Sequence, residues 1–119
     1  MAVAATKRKT PILDREEMEI YVRDVETQRE MFNDFFGHTP KLLREMRAAV
    51  AIGARRPWRA NAHAIKGTAL YLGLRRVIAL TTREMEEGAR PSAAKLRRLE
   101  AELAAAKKAA DAYLATVDA

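Results

Sequence analysis

The 119-residue sequence predicts an all-α chain, folded as an antiparallel four-helix bundle with a short extra N-terminal helix. Three observations lead there. Only five glycines and four prolines interrupt the chain, and alanine, leucine, arginine and glutamate, all good helix formers, are abundant while β-branched residues are too few for a sheet. Apolar residues recur three and four apart over long stretches, which lines one face of a helix. Short loops between such stretches let antiparallel neighbours bury those faces together.

The elements follow in order. Residues 1–11, with Lys7, Arg8 and Lys9, read as a disordered basic arm, and residues 12–119 as the bundle domain. Asp14 and Glu17 form a start resembling a capping box, with Leu13 and Met18 placed as a hydrophobic staple, so a first helix is expected from about Asp14 to Val25. Met31, Phe32, Phe35 and Phe36 give the next helix an apolar face that Leu42, Leu43, Met46 and Val50 continue. Gly37, Thr39 and Pro40 read as a stop and restart within it, which leaves open whether residues 26–52 are one kinked helix or two.

Gly53 closes that segment, and Arg56-Pro57-Trp58 opens a helix that Gly73 ends. At 100° per residue, Trp58, Ala62, Ile65, Ala69 and Leu72 gather within about 40° of one direction, the stripe expected to be buried. Trp58 anchors its start. A fourth helix is expected from about Arg75 to Glu87, turning Val77, Ile78, Thr81 and Met85 inward and ending at Gly88. After Pro91, Ser92 can cap a last helix whose seam is Leu96, Leu99, Leu103, Ala106, Ala110, Tyr113 and Val117.

Composition excludes several functions. There are no cysteines, so disulfides and thiolate chemistry are absent, and two histidines, His38 and His63, do not make a histidine-rich metal site. The N-terminus lacks the apolar run of a signal peptide, and no stretch approaches the roughly 20 apolar residues of a membrane span. A soluble, cytoplasmic protein with no membrane partner is expected. Net charge is +6, but its distribution matters more. Residues 41–76 carry nine Lys or Arg against one Glu, so the basic excess surrounds His63 and favours an acidic or phosphate-bearing partner.

His63, Lys66 and Gly67 carry the most chemistry. Residues three and four apart share a helix surface, so an imidazole, an ammonium and a missing side chain form one patch fit to hold a phosphoryl group. His63 lies about 140° from the buried stripe, beside Arg59, Gly67 and Leu70, and Lys66 about 80° off, where its stem can lie on apolar surface and its ammonium swing toward the ring. A glycine inside a helix costs about 1 kcal/mol against alanine, so Gly67 suggests close approach to the backbone. Neutral imidazole is a competent nucleophile near pH 7, and a nearby cation both favours the neutral form and offsets the charge of an arriving phosphoryl group.

No carboxylate, serine or cysteine lies within a helical turn of His63, so a hydrolytic triad has no support. There is also no glycine-rich phosphate loop to bind ATP, so a partner must bring the phosphoryl group. His38 reads as a structural or solvated residue at a helix junction, and Glu84, Glu86 and Glu87 as a solvated acidic face.

The run Ala62-His63-Ala64-Ile65-Lys66-Gly67-Thr68, followed by Gly73-Leu74, resembles the histidine-containing phosphotransfer (HPt) domain family of multistep two-component phosphorelays. The family pattern is A-H-x-L-K-G-S, then G-A a few residues on. Ile65 replaces its leucine, and Leu74 stands where alanine is commoner. The resemblance spans about residues 12–117. It implies a phosphorelay intermediate and not an enzyme: His63 would be phosphorylated, Lys66 would stabilise the phosphoryl group, and Gly67 would leave room for a response-regulator receiver domain that docks also on Arg59 and Leu70. The chain itself would hold no cofactor, the magnesium being on the receiver. The partners would be that receiver and a hybrid or cognate histidine kinase.

An alternative from another class is a basic helical module that binds nucleic acid or an acidic protein scaffold through Arg47, Arg55, Arg56, Arg59, Arg75 and Arg76. Only Trp58 and Tyr71 interleave aromatics with that basic run, and neither is poised for base stacking, which ranks this reading below the relay.

Overall fold

The computed structural model describes residues 10–117, and these form five α-helices and no strand. Helix α1 spans Arg15–Tyr21, α2 Val25–Ile52, α3 Arg55–Leu72, α4 Arg75–Glu84 and α5 Ala93–Val117. None is long and apolar enough to cross a membrane. Residues 1–9 of the expected basic arm lie outside the described residues, and the Thr10 carbonyl accepts a hydrogen bond from Arg76 Nε at 2.9 Å.

Local chemistry sets most helix ends. The Asp14 carboxylate accepts from the Glu17 N–H at 3.2 Å and starts α1, but that helix stops at Tyr21, not near Val25. A second cap explains the difference. Asp24 accepts from both the N–H and the hydroxyl of Thr27 at 2.9 Å, and so opens α2 where the first helix was expected to continue. Helix α2 then runs unbroken through Gly37 and Pro40. Pro40 is exposed, while Phe32, Phe35, Thr39, Leu42, Met46 and Ala49 stay on one buried face. Packing of that face outweighs the local helix-breaking signal.

Helices α3 and α4 follow the expected pattern more closely. Trp58, Ala62, Ile65, Ala69 and Leu72 are all fully buried and form the centre of the core with Met18, Phe32 and Met46. Each large apolar side chain buried there contributes about 1.5–3 kcal/mol. Gly73 ends α3 with φ +66, and its carbonyl accepts from the Asp14 N–H at 2.8 Å, so the α3 terminus also ties down the start of α1. Helix α4 ends at Glu84, three residues sooner than expected, and turns cover the interval to α5. Ser92 caps α5 by accepting from the Lys95 N–H at 3.3 Å.

Helix α2 packs on α3 and α5, α4 packs on the same two helices, and α1 packs on α3. The motif helix α3 is thus held on three sides. Two buried polar links fasten the ring of helices: Tyr113 of α5 donates to Gln28 of α2 at 2.7 Å, and Gln28 in turn donates to the Val22 carbonyl at 2.8 Å.

Candidate functional site

Helix α3 turns its unburied side outward as a line of mixed chemistry. Taking His63 as origin, Arg56, Arg59, Gly67 and Leu70 all fall within about 40° of it around the helix. The imidazole is exposed, and it forms no hydrogen bond or ion pair among the described residues. Its ring nitrogens are therefore available to solvent or to a partner.

Lys66 follows one turn later and is half-buried, with no hydrogen bond or ion pair among the described residues. Its ammonium is not committed to a carboxylate of this chain. Gly67 is exposed, and a Cβ added there would meet nothing within 4 Å. Nothing in this chain requires a glycine at that position, although it weakens the helix. Leu70 is 45% exposed, an apolar surface one turn beyond Gly67.

Arg59 extends the line toward the helix start. Its guanidinium donates to the Met85 carbonyl at 3.0 Å, which draws the turn after α4 alongside α3. Between that turn and the first two turns of α3 lies an open groove of about 550 Å³, lined by Arg55, Arg56, Arg59 and His63 on one wall and by Met85, Glu87 and Gly88 on the other. Sequence reasoning did not place the 85–88 turn beside His63, because the contact joins residues 26 apart.

On the opposite flank of α3, a smaller cleft of about 200 Å³ is lined by Asp34, His38 and Thr39 of α2 and by Ala64 and Thr68 of α3. His38 was expected at a helix junction. It lies instead within α2, exposed, and faces this cleft next to the motif. The spacing Asp34-x-x-x-His38 was a signal that both share one helix face, hidden by the expected break at Pro40.

The acidic trio divides. Glu86 and Glu87 are exposed, but Glu84 is 8% exposed and accepts from Trp58 Nε1 and from Lys95 Nζ, each at 3.1 Å. This corrects the expectation of a solvated face for Glu84 and fixes the start of α3 to α4 and α5. Among the described residues, no group of three His, Asp or Glu side chains is arranged to hold a metal ion.

The arginines named for a nucleic-acid surface are mostly committed within the chain. Arg47 pairs with Glu100, Arg75 with Asp14 at 3.1 Å, and Arg76 and Arg59 donate to backbone carbonyls. Only Arg55 and Arg56 of that set lack a partner among the described residues. Both line the groove beside His63.

The family model described as the Hpt domain matches residues 30–109, a span that runs from α2 into α5 and contains this whole constellation. No curated protein and no solved structure matches the chain.

Proposed function

This chain belongs to the Hpt domain family, and from that premise we propose that His63 carries a phosphoryl group to and from the aspartate of a response-regulator receiver domain in a two-component phosphorelay. Hpt domains are carriers in such relays and not self-sufficient catalysts. The observation that supports His63 as the carrier is an exposed imidazole without internal partners, one turn from an uncommitted ammonium and from an open space over Gly67.

The step needs little from this chain. The lone pair of one ring nitrogen of neutral His63 attacks the phosphorus of the receiver's aspartyl phosphate. The N–P bond forms as the acyl-phosphate O–P bond breaks, and the aspartate leaves as a carboxylate. The other ring nitrogen keeps its proton during attack and releases it to water afterwards. No base is required on this chain, consistent with the lack of any carboxylate partner for His63. Lys66 offsets the charge of the phosphoryl group on the imidazole, and magnesium on the receiver offsets it on the aspartate. The remaining contribution is placement, to which Gly67, Arg59 and Leu70 lend the contact face.

The helix contacts support an antiparallel four-helix bundle of α2 to α5 with α1 laid against α3. In that arrangement the relay face belongs to a rigid element, and the cytoplasm is the compartment where the receiver and a hybrid or cognate histidine kinase would meet it. The internal commitments of Arg47, Arg75 and Arg76 count against a nucleic-acid surface.

The test is transfer from magnesium-loaded receiver domains carrying radiolabelled aspartyl phosphate. Acid-labile, base-stable label on the wild-type chain and none on His63→Gln is the expected result. Label that survives in the His63→Gln variant contradicts it.

A further inference from the structure

Arg55 and Arg56 occupy the first turn of α3, where the unpaired N–H groups already present the positive end of the helix dipole. Cations there weaken a helix, and Ala54 offers no side-chain cap to compensate. Asp14, Asp24 and Ser92 cap α1, α2 and α5 with side-chain oxygens; α4 is uncapped like α3, but its first-turn Arg75 and Arg76 are held by Asp14 and the Thr10 carbonyl, a commitment that Arg55 and Arg56 lack. The two arginines therefore do nothing for their own helix, and neither has a hydrogen bond or ion pair among the described residues. Both line the groove that His63 also lines, and Glu87 is the one carboxylate in that lining.

Along α3, Arg55, Arg56 and Arg59 stand on the N-terminal side of His63, and Lys66 with the bare backbone of Gly67 and Leu70 on the other. Arg56 is about 10 Å from His63 along the axis at 1.5 Å per residue. An occupant that touches both ends is thus a docked protein face and not a phosphoryl group alone. Resting on the relay reading above, we propose that the groove receives an acidic edge of the receiver domain, with Asp or Glu side chains beside its phospho-aspartate pairing with Arg55 and Arg56. These two residues then select among receivers by charge. The wider basic field of residues 41–76 steers such a partner toward the same face.

The test uses the full chain and a set of phosphorylated, magnesium-loaded receiver domains that differ in the charge of the face around the phospho-aspartate. Arg55→Glu/Arg56→Glu reverses the groove and places acids where a helix start favours them, so the variant should fold. With acidic-faced receivers, the variant should lose at least about tenfold in kcat/KM for transfer, the scale of electrostatic steering, with kcat at saturation retained. Added salt should slow the wild type but not the variant, whose reversed groove repels an acidic edge until salt screens it. A receiver with its acidic edge changed to lysine should prefer the variant.

Equal rates for wild type and variant with every receiver overturn the proposal. So does faster loss of label from the isolated phosphorylated variant, since the arginines would then serve the phosphohistidine directly. Salt-sensitive capture of duplex DNA as tight as that of the receivers also overturns it. If wild type accepts label from no receiver, it is the relay reading that fails, a result distinct from all of these.

Discussion

The indole N–H of Trp58 donates to the buried carboxylate of Glu84 at 3.1 Å, and Lys95 Nζ donates to the same oxygen at the same distance. One acid thereby joins the start of the motif helix to α4 and α5. Trp58 is fully buried, so its N–H has no water to turn to if the acceptor is removed.

Glu84→Ala should therefore destabilise the protein by about 1–3 kcal/mol, the range for leaving a buried donor unsatisfied, with the half-exposed Lys95 contributing the smaller part. Urea denaturation measures this. A loss within about 0.5 kcal/mol, the scale of an ordinary surface change, would contradict the linking role.

Two glycines of the motif region should respond in opposite ways. At Gly73, φ is +66 and an added Cβ would sit 2.3 Å from the Asp14 carbonyl oxygen, so Gly73→Ala should cost at least about 2 kcal/mol and loosen α1 from α3. At Gly67 the space is open, and Gly67→Ala should stabilise α3 by about 0.5–1 kcal/mol. The same Gly67→Ala change should slow transfer from a receiver by about tenfold to a hundredfold through misplacement of the docked face. Thermal melts and transfer rates on both variants check the contrast; a Gly67→Ala protein that transfers normally would remove any role for the bare backbone.

Asp24 predicts an acid-side effect. Hydrogen bonds from the Thr27 N–H and hydroxyl hold its carboxyl below the usual value of 3.8. A lowered folded-state pKa means that its stabilisation of α2 is present above pH 3.8 and disappears as pH falls through the folded value. Asp24→Asn, which keeps a capping oxygen but not the charge, should melt below wild type at neutral pH and converge with it in acid. Parallel melting curves across that range would contradict the assignment.

What was legible in the sequence was what depends on neighbours along the chain. The buried stripe from Trp58 to Leu72 follows from period alone, as do the outward positions of His63, Gly67 and Leu70. The Asp14 and Ser92 caps were also visible as local signals. The Asp14 capping signal marks where the first helix begins but not where it ends, so the second cap at Asp24 stayed hidden, and Pro40 suggested a break that the buried face of Phe35, Thr39 and Leu42 overrides.

Contacts between distant residues were not legible. Glu84 looks like either of its acidic neighbours until Trp58 and Lys95 are brought to it. The partner of the Tyr113 hydroxyl, Gln28, lies 85 positions away. The groove beside His63 exists because Arg59 reaches the Met85 carbonyl across the bundle, which no spacing in either segment announces.

The most direct measurement of the central claim is to map the modified residue after transfer from a phosphorylated receiver, by mass spectrometry of peptides kept at alkaline pH. The relay account predicts phosphate on His63 and none on His38, the other histidine beside the motif helix. Phosphate on His38, or on neither histidine while the receiver loses its label to the protein, would contradict it.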